Sequence, residues 1–284
     1  FKRDIVEELA EACRDAGLKF GLYYSQDVDW SEPNGGGLFR KHHMKSEPRV
    51  WGNNWDFGYI KKEDYNFEEY LQSKSIPQVK EILTQYGDLC LIWFDVPMTS
   101  TLEQSTMFRD LVRKYQPGCL INGRIGNKMG DYHTPTDNAL AENTKRDELY
   151  EMVGTMNNSW GYHPTDTDYK SLETILGFKN RSKEIGSNYM LNIGPDHLGR
   201  IPAPGIKILD GLAGILFQHI RRHDGTQVTA IFCGKIQGRF SCIRNGFKIR
   251  YIYAVLLHEP FIAAIAANAI NYRGNAHARQ NFEL

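Results

Sequence analysis

The chain has 284 residues, 41% hydrophobic and 12% aromatic, enough to bury the core of one large α/β domain or of two smaller ones. Lys plus Arg and Asp plus Glu both total 34, so no overall basic surplus points to nucleic acid, and no apolar run has the length of a membrane span. Charge is uneven along the chain: residues 217–284 hold nine Lys/Arg against three Asp/Glu, leaving 25 against 31 for residues 1–216. The five cysteines, Cys13, Cys90, Cys119, Cys233 and Cys242, are odd in number and lack metal-type spacing, so a disulfide framework is not expected. No signal peptide is visible after Phe1, and that alone leaves the compartment open.

A helix opens the chain: Ile5, Val6, Leu9 and Cys13 recur at three-to-four spacing, and Gly17 stands where a C-terminal cap belongs. Leu18 to Ser25 has strand character. Residues 26–62, rich in Gly, Pro, Asn, Trp and Lys, form too long an irregular stretch for a tight connection. A helix over about 66–86, jogged near Pro77, leads to the apolar strand Asp88–Asp95. Then come a helix over 102–116, a strand at Cys119–Asn122, a second irregular stretch and a strand at Tyr150–Thr155. Helix 171–185, strand Asn188–Ile193 and helix 204–217 complete the series. Strands alternating with helices, with nearly continuous apolar runs, predict parallel βαβ units covered on both faces. Polar and aromatic clusters follow the ends of several strands: YYSQDVDW, WFDVPM, NGRIGN and NIGPDHLG. A barrel gathers all such ends around one pocket, whereas an open sheet gathers only those at its switch point. A TIM-like (β/α) barrel is therefore the expected fold.

Asp95 is the sharpest chemical signal. An apolar strand from Leu89 to Phe94 delivers a carboxylate, and Val96-Pro97 then stops the strand. Trp93, two residues earlier, faces the same way and offers an aromatic wall. Sugars suit such a pair, since their C–H faces pack on rings while their hydroxyls seek carboxylates and Arg. Asn122-Gly123-Arg124 stands at another strand end, where the guanidinium fork could hold a hydroxyl or carboxylate. Glycoside hydrolysis uses two carboxyl groups, and Asp137, Glu142 and Glu151 are candidates for the second. Alternation sends Tyr23 and Tyr24 to opposite sides of their strand, so one of them can face the pocket; Tyr23 is read as an ordinary half-buried tyrosine. Trp30 would add to the aromatic rim. His42-His43 is a poor ligand pair on a regular element, and no HExxH or cysteine cluster supports it. Asn192-Ile-Gly-Pro-Asp196 lacks the spacing and Lys of a phosphate loop.

The ordered motifs GLYYSQDVDW, LIWFD, INGR, GDYHTP, GTMNNSWGY and NYMLNIGPDHLGRIP over residues 1–216 resemble the landmarks of the α-L-fucosidase family of retaining glycoside hydrolases (family 29). The resemblance implies a somewhat irregular (β/α) barrel, no cofactor or metal, and release of terminal α-linked L-fucose from oligosaccharides or glycoprotein glycans by double displacement. It implies a periplasmic, secreted or lysosomal setting, while the charge balance and the short apolar runs set the expectation of no nucleic acid and no membrane as partner. On this resemblance Asp95 is the nucleophile, and Trp93, Arg124 and Tyr24 line the fucose pocket. Many members carry their acid/base Glu where this chain has Thr136; some use the Asp immediately after, here Asp137, which is the first choice, and others a Glu before Ser-Trp-Gly, here Glu151, the second.

Two departures follow from the same comparison of motifs. The family's opening strands, with their Lys-His-His-(Asp/Glu)-Gly-Phe motif, would precede Phe1, so the barrel is expected to be incomplete at its N-terminus, and Lys41-His42-His43-Met44 is not that motif. Residues 1–216 are expected to be the partial catalytic domain. Residues 217–284 are expected to be a basic tail too short for the β-sandwich that usually follows. Two other readings stand beside the first: a carbohydrate-binding remnant without turnover, and a different barrel hydrolase using a metal at His42, His43 and Asp95.

Overall fold

The computed structural model describes residues 3–29, 31–35, 64–142, 144–145, 148–222 and 252–255, with 216–222 and 252–255 described in backbone alone. Trp30, His42, His43 and most of the expected basic tail lie outside the described residues. The chain divides into two compact units, one of Gly21–Thr134 and one that joins Phe1–Phe20 to Pro135–Leu284.

The unit of Gly21–Thr134 is built on three neighbouring parallel strands in the order β3-β2-β1. These are β1 (Lys19–Ser25), β2 (Leu91–Asp95) and β3 (Leu120–Ile121). The register pairs Tyr23 with Trp93, Tyr24 with Phe94 and Ser25 with Asp95, so side chains of each pair share a face. Between β1 and β2 run two helices, α2 (Phe67–Tyr70) and α3 (Ile76–Gln85), joined by a π-helical turn at Leu71–Ser75. The expected jog is this turn: Ile76 N–H bonds back five residues to Leu71, immediately before Pro77, which has no N–H to continue the ordinary ladder. Helix α4 (Leu102–Tyr115) starts with a reciprocal capping box between Thr101 and Gln104 and packs Phe108 on Phe94, ring centres 5.6 Å apart. Phe94 and Tyr24 thus point to the helices, and Tyr23, Trp93 and Asp95 to the opposite face.

In the other unit, α1 (Ile5–Asp15) begins on an Asp4 cap, whose side chain accepts from Glu7 N–H at 3.0 Å. It ends as its sequence predicts: Leu18 N–H reaches Cys13 carbonyl, Gly17 N–H reaches Arg14 carbonyl, and Gly17 takes φ 68°. A second parallel pair, β4 (Tyr150–Thr155) and β5 (Ser187–Asn192), is connected through α5 (Leu172–Glu184). All six residues of β4 are buried. The core joins Met156, Ile175, Leu191 and Ile193 to Ile208, Leu209 and Leu212 of α6 (Ala203–Arg222). A short strand, β6 (Ile252–Val255), was not expected from the sequence. The α/β class and the parallel pairing agree with the sequence reading.

Candidate active site

The loop after β2 is where the sequence placed its chemistry, and local forces explain its shape. Val96 takes φ 55°, a left-handed conformation that costs a β-branched residue on the order of 1–3 kcal/mol. A three-residue turn follows, with Met98 N–H on Val96 carbonyl at 2.8 Å. Two consecutive buried side chains beyond β1 hold this turn from both sides. Gln26 Oε1 accepts from Asp95 N–H at 3.0 Å, while Asp27 accepts from the N–H groups of Thr99 and Ser100 at 2.6 and 2.8 Å and from the Ser100 hydroxyl. Burial pushes the Asp27 carboxyl above its ordinary range, against the pull of the Ser100 and Thr99 donors.

The Asp95 carboxylate is held at both oxygens. Tyr23 Oη donates to Oδ2 at 2.9 Å, and Arg124 Nη1 lies 3.2 Å from Oδ1. Its side chain keeps 21% exposure, so it is seated but reachable. Tyr23 stacks on Trp93 with ring centres 5.7 Å apart, and the Arg124 guanidinium lies 4.9 Å from the centre of the Trp93 ring, an attractive cation–π placement. Burial, then the Asp95 charge and the bond to it, push the Tyr23 phenol far above its ordinary range, so it remains a donor.

Arg124 owes its position to close backbone approach. It belongs to a 3-10 turn, Gly123–Ile125, at the end of β3, and Nε also donates to Thr134 carbonyl at 3.3 Å. The segment from Gly130 runs back along this turn: Asn122 bridges to Tyr132, and Asp131 N–H bonds Ile121 carbonyl at 2.7 Å. A Cβ at Gly130 would fall 2.4 Å from Asn122 carbonyl oxygen and 2.7 Å from Gly123 Cα, so no side chain fits there. Asn122 in turn grips Phe94 on both sides, accepting from its N–H at 2.8 Å and donating to its carbonyl at 2.9 Å. The amide extends the β2–β3 pairing where β3 itself ends.

Asp95, Trp93 and Arg124 are therefore brought together, and one expectation is corrected. Tyr24 is not beside them: its hydroxyl donates to Gln78 of α3 at 2.7 Å, on the helix-covered face. Tyr23 takes the place expected of Tyr24, because parity with Trp93 and Asp95 decides the face. Asp137 and Glu151 belong to the other unit. Asp137 is exposed and bridges in parallel to Val153 of β4, and the next residue, Asn138, donates its N–H to Val153 carbonyl at 2.8 Å. Glu151 is buried within β4, 3% exposed. Glu142 is exposed. Gln26 was missed by the sequence reading; the signal available was an amide placed immediately after an apolar strand. Among the described residues no group of three or more His, Cys, Asp or Glu is placed to hold a metal ion.

A family model described as Alpha-L-fucosidase matches residues 1–218. The chain belongs to the α-L-fucosidase family. Tissue α-L-fucosidase of Bos taurus is 25% identical over 277 residues, covering 91% of this chain and 51% of that protein. The unliganded α-L-fucosidase AlfC of Lactobacillus casei is 43% identical with TM-score 0.69, covering 78% of this chain and 67% of that one. The same enzyme with α-L-fucose as product gives 42% identity and TM-score 0.69, again covering 78% and 67%. The chain spans about half the length of the curated fucosidase it matches in Bos taurus.

Proposed function

We propose that this fucosidase-family chain hydrolyses terminal α-L-fucosides of oligosaccharides or glycoconjugates with retention of configuration, and that Asp95 is the nucleophile. The observation that carries this reading is the carboxylate at the end of β2, oriented by Tyr23 and Arg124 beside the Trp93 ring. A mostly buried but reachable carboxylate pinned at both oxygens is set in direction before a substrate arrives, which is what attack on an anomeric carbon requires. The bond from Asp95 oxygen to that carbon forms as the glycosidic bond breaks, and a carboxylic acid gives its proton to the departing oxygen. The same acid, then ionised, takes a proton from water, which attacks the anomeric carbon and releases Asp95. Asp137 is proposed for that acid/base role and Glu151 as the second choice. Trp93 and Arg124 are proposed to line the sugar pocket, with Tyr23 in place of Tyr24.

The finer architecture belongs to the same proposal: the parallel βαβ units as parts of a (β/α) barrel, residues 1–216 as its catalytic portion, and 217–284 as a separate basic tail. The likeness to AlfC supports the first of these.

The test is hydrolysis of 4-nitrophenyl α-L-fucopyranoside. Asp95→Ala is expected to lower kcat by at least about a thousandfold, and azide to restore turnover by forming the β-fucosyl azide. An acid/base variant given azide should instead yield the α-fucosyl azide, so whichever of Asp137→Ala and Glu151→Ala forms that product identifies the acid/base. Undiminished turnover in Asp95→Ala would overturn the assignment.

A further inference from the structure

Gln26 sits one residue beyond β1, is fully buried, and bridges two main chains that carry the proposed chemistry. Its Oε1 accepts from Asp95 N–H at 3.0 Å, and its Nε2 donates to Arg124 carbonyl at 3.1 Å. The amide has one sense only: a backbone N–H can only donate and a carbonyl can only accept, so oxygen faces Asp95 and nitrogen faces Arg124. The side chains of those same two residues meet at 3.2 Å. Asp95 and Arg124 therefore form a closed figure, joined at one end by their ion pair and at the other by the Gln26 amide. Gln26 is itself anchored from the helix side, where the Ser75 hydroxyl of the π-helical turn donates to its carbonyl at 2.9 Å.

We propose that Gln26 is a positioning residue that fixes the spacing and direction of the Asp95 carboxylate relative to the Arg124 guanidinium. This rests on the reading of Asp95 as nucleophile. The Gln26 amide touches no reacting atom. Its effect is geometric: without it the main chains of Asp95 and Arg124 lose their direct bridge, the Asn122 grip stops one residue short at Phe94, and Val96, in its left-handed conformation, has less to hold it. A displacement of the attacking oxygen by about 1 Å can cost on the order of a hundredfold in rate.

Gln26→Glu gives a test that a purely structural role would not pass. The ionised carboxylate keeps an acceptor for Asp95 N–H but turns a second lone pair toward Arg124 carbonyl and adds negative charge beside Asp95. Once protonated, its O–H donates to that carbonyl and the original pattern returns. Burial and the neighbouring carboxylate both favour the neutral form, so the bridge is restored as pH falls. The parent, Gln26→Glu, Gln26→Met and Asp95→Ala chains are assayed from pH 5 to 8 with 4-nitrophenyl α-L-fucopyranoside, quenched into base, with near-UV circular dichroism at each pH to count folded protein. The expected result is a Gln26→Glu/parent ratio of kcat that rises at least about tenfold from pH 8 to 5. Gln26→Met should lose about 10- to 100-fold in kcat at every pH, with KM changed less than about threefold. A ratio independent of pH, or a Gln26→Met chain as fast as the parent, overturns the proposal while an inactive Asp95→Ala leaves the nucleophile assignment standing. Active Asp95→Ala overturns both. If neither Gln26 variant folds at any pH, Gln26 belongs to the frame of the fold and the positioning role is refuted.

Discussion

Arg124 makes three different kinds of contact with one guanidinium: an ion pair to Asp95, a hydrogen bond to Thr134 carbonyl, and a cation–π contact with Trp93. A lysine keeps the charge but offers neither the planar fork nor the stacking surface. Arg124→Lys is therefore expected to lower kcat/KM for 4-nitrophenyl α-L-fucopyranoside by about 10- to 100-fold, with little change in melting temperature. Asp27 gives a prediction of the opposite kind, on stability and not on rate. Its folded-state carboxyl is raised above the ordinary value by burial, so the folded chain holds that proton more tightly than the unfolded one. Its contribution is then most favourable below the ordinary carboxylate range and is lost as pH rises through the raised value. Melting curves of the parent and Asp27→Asn should show the parent losing ground to the variant as pH increases across that window. Convergence in the other direction would refute the assignment. At this scale strand periodicity put Trp93 and Asp95 on one face, and the strand end at Asn122 put Arg124 within reach of them. The sequence reading misplaced the tyrosine because the choice between Tyr23 and Tyr24 depends on register with β2, which a single strand does not carry. Gln26 and Asp27 were invisible for the same reason: their partners lie about seventy to a hundred residues away.

Helices and strands were the most legible part. Apolar spacing and Gly17 located α1, whereas its Asp4 cap and the Thr101–Gln104 capping box of α4 come from the structure. That second cap matters because the loop it closes is the one that leaves Asp95: Ser100, held by Asp27, immediately precedes Thr101. Thr101→Ala removes the acceptor for Gln104 N–H and is expected to cost about 1 kcal/mol, read as a lower midpoint in urea at unchanged slope. The π-helical turn was foreseen only as a jog at Pro77, since the proline signals that the regular ladder breaks but not how it is repaired. The stretch from Gly130 could not be read as an edge companion of β3, because its pairing is made by single bridges and side chains, with no periodic run to show it.

At the scale of the whole chain, strand–helix alternation predicted parallel sheets, and the pairs β1–β2, β2–β3 and β4–β5 are all parallel. The division into units was not legible. It falls between Phe20 and Gly21 and between Thr134 and Pro135, inside a strand and inside the motif GDYHTP, where neither glycine content nor charge changes. Contact with distant residues, not local composition, draws that line. It also orders events during synthesis. The unit that contains α1 is completed only by residues from Pro135 onward, so its two pieces leave the ribosome with the entire other unit between them. At ordinary elongation rates that gap lasts roughly 10 s. Throughout it α1, whose buried face carries Ile5, Ala10 and Cys13, exists without the later part of its own unit.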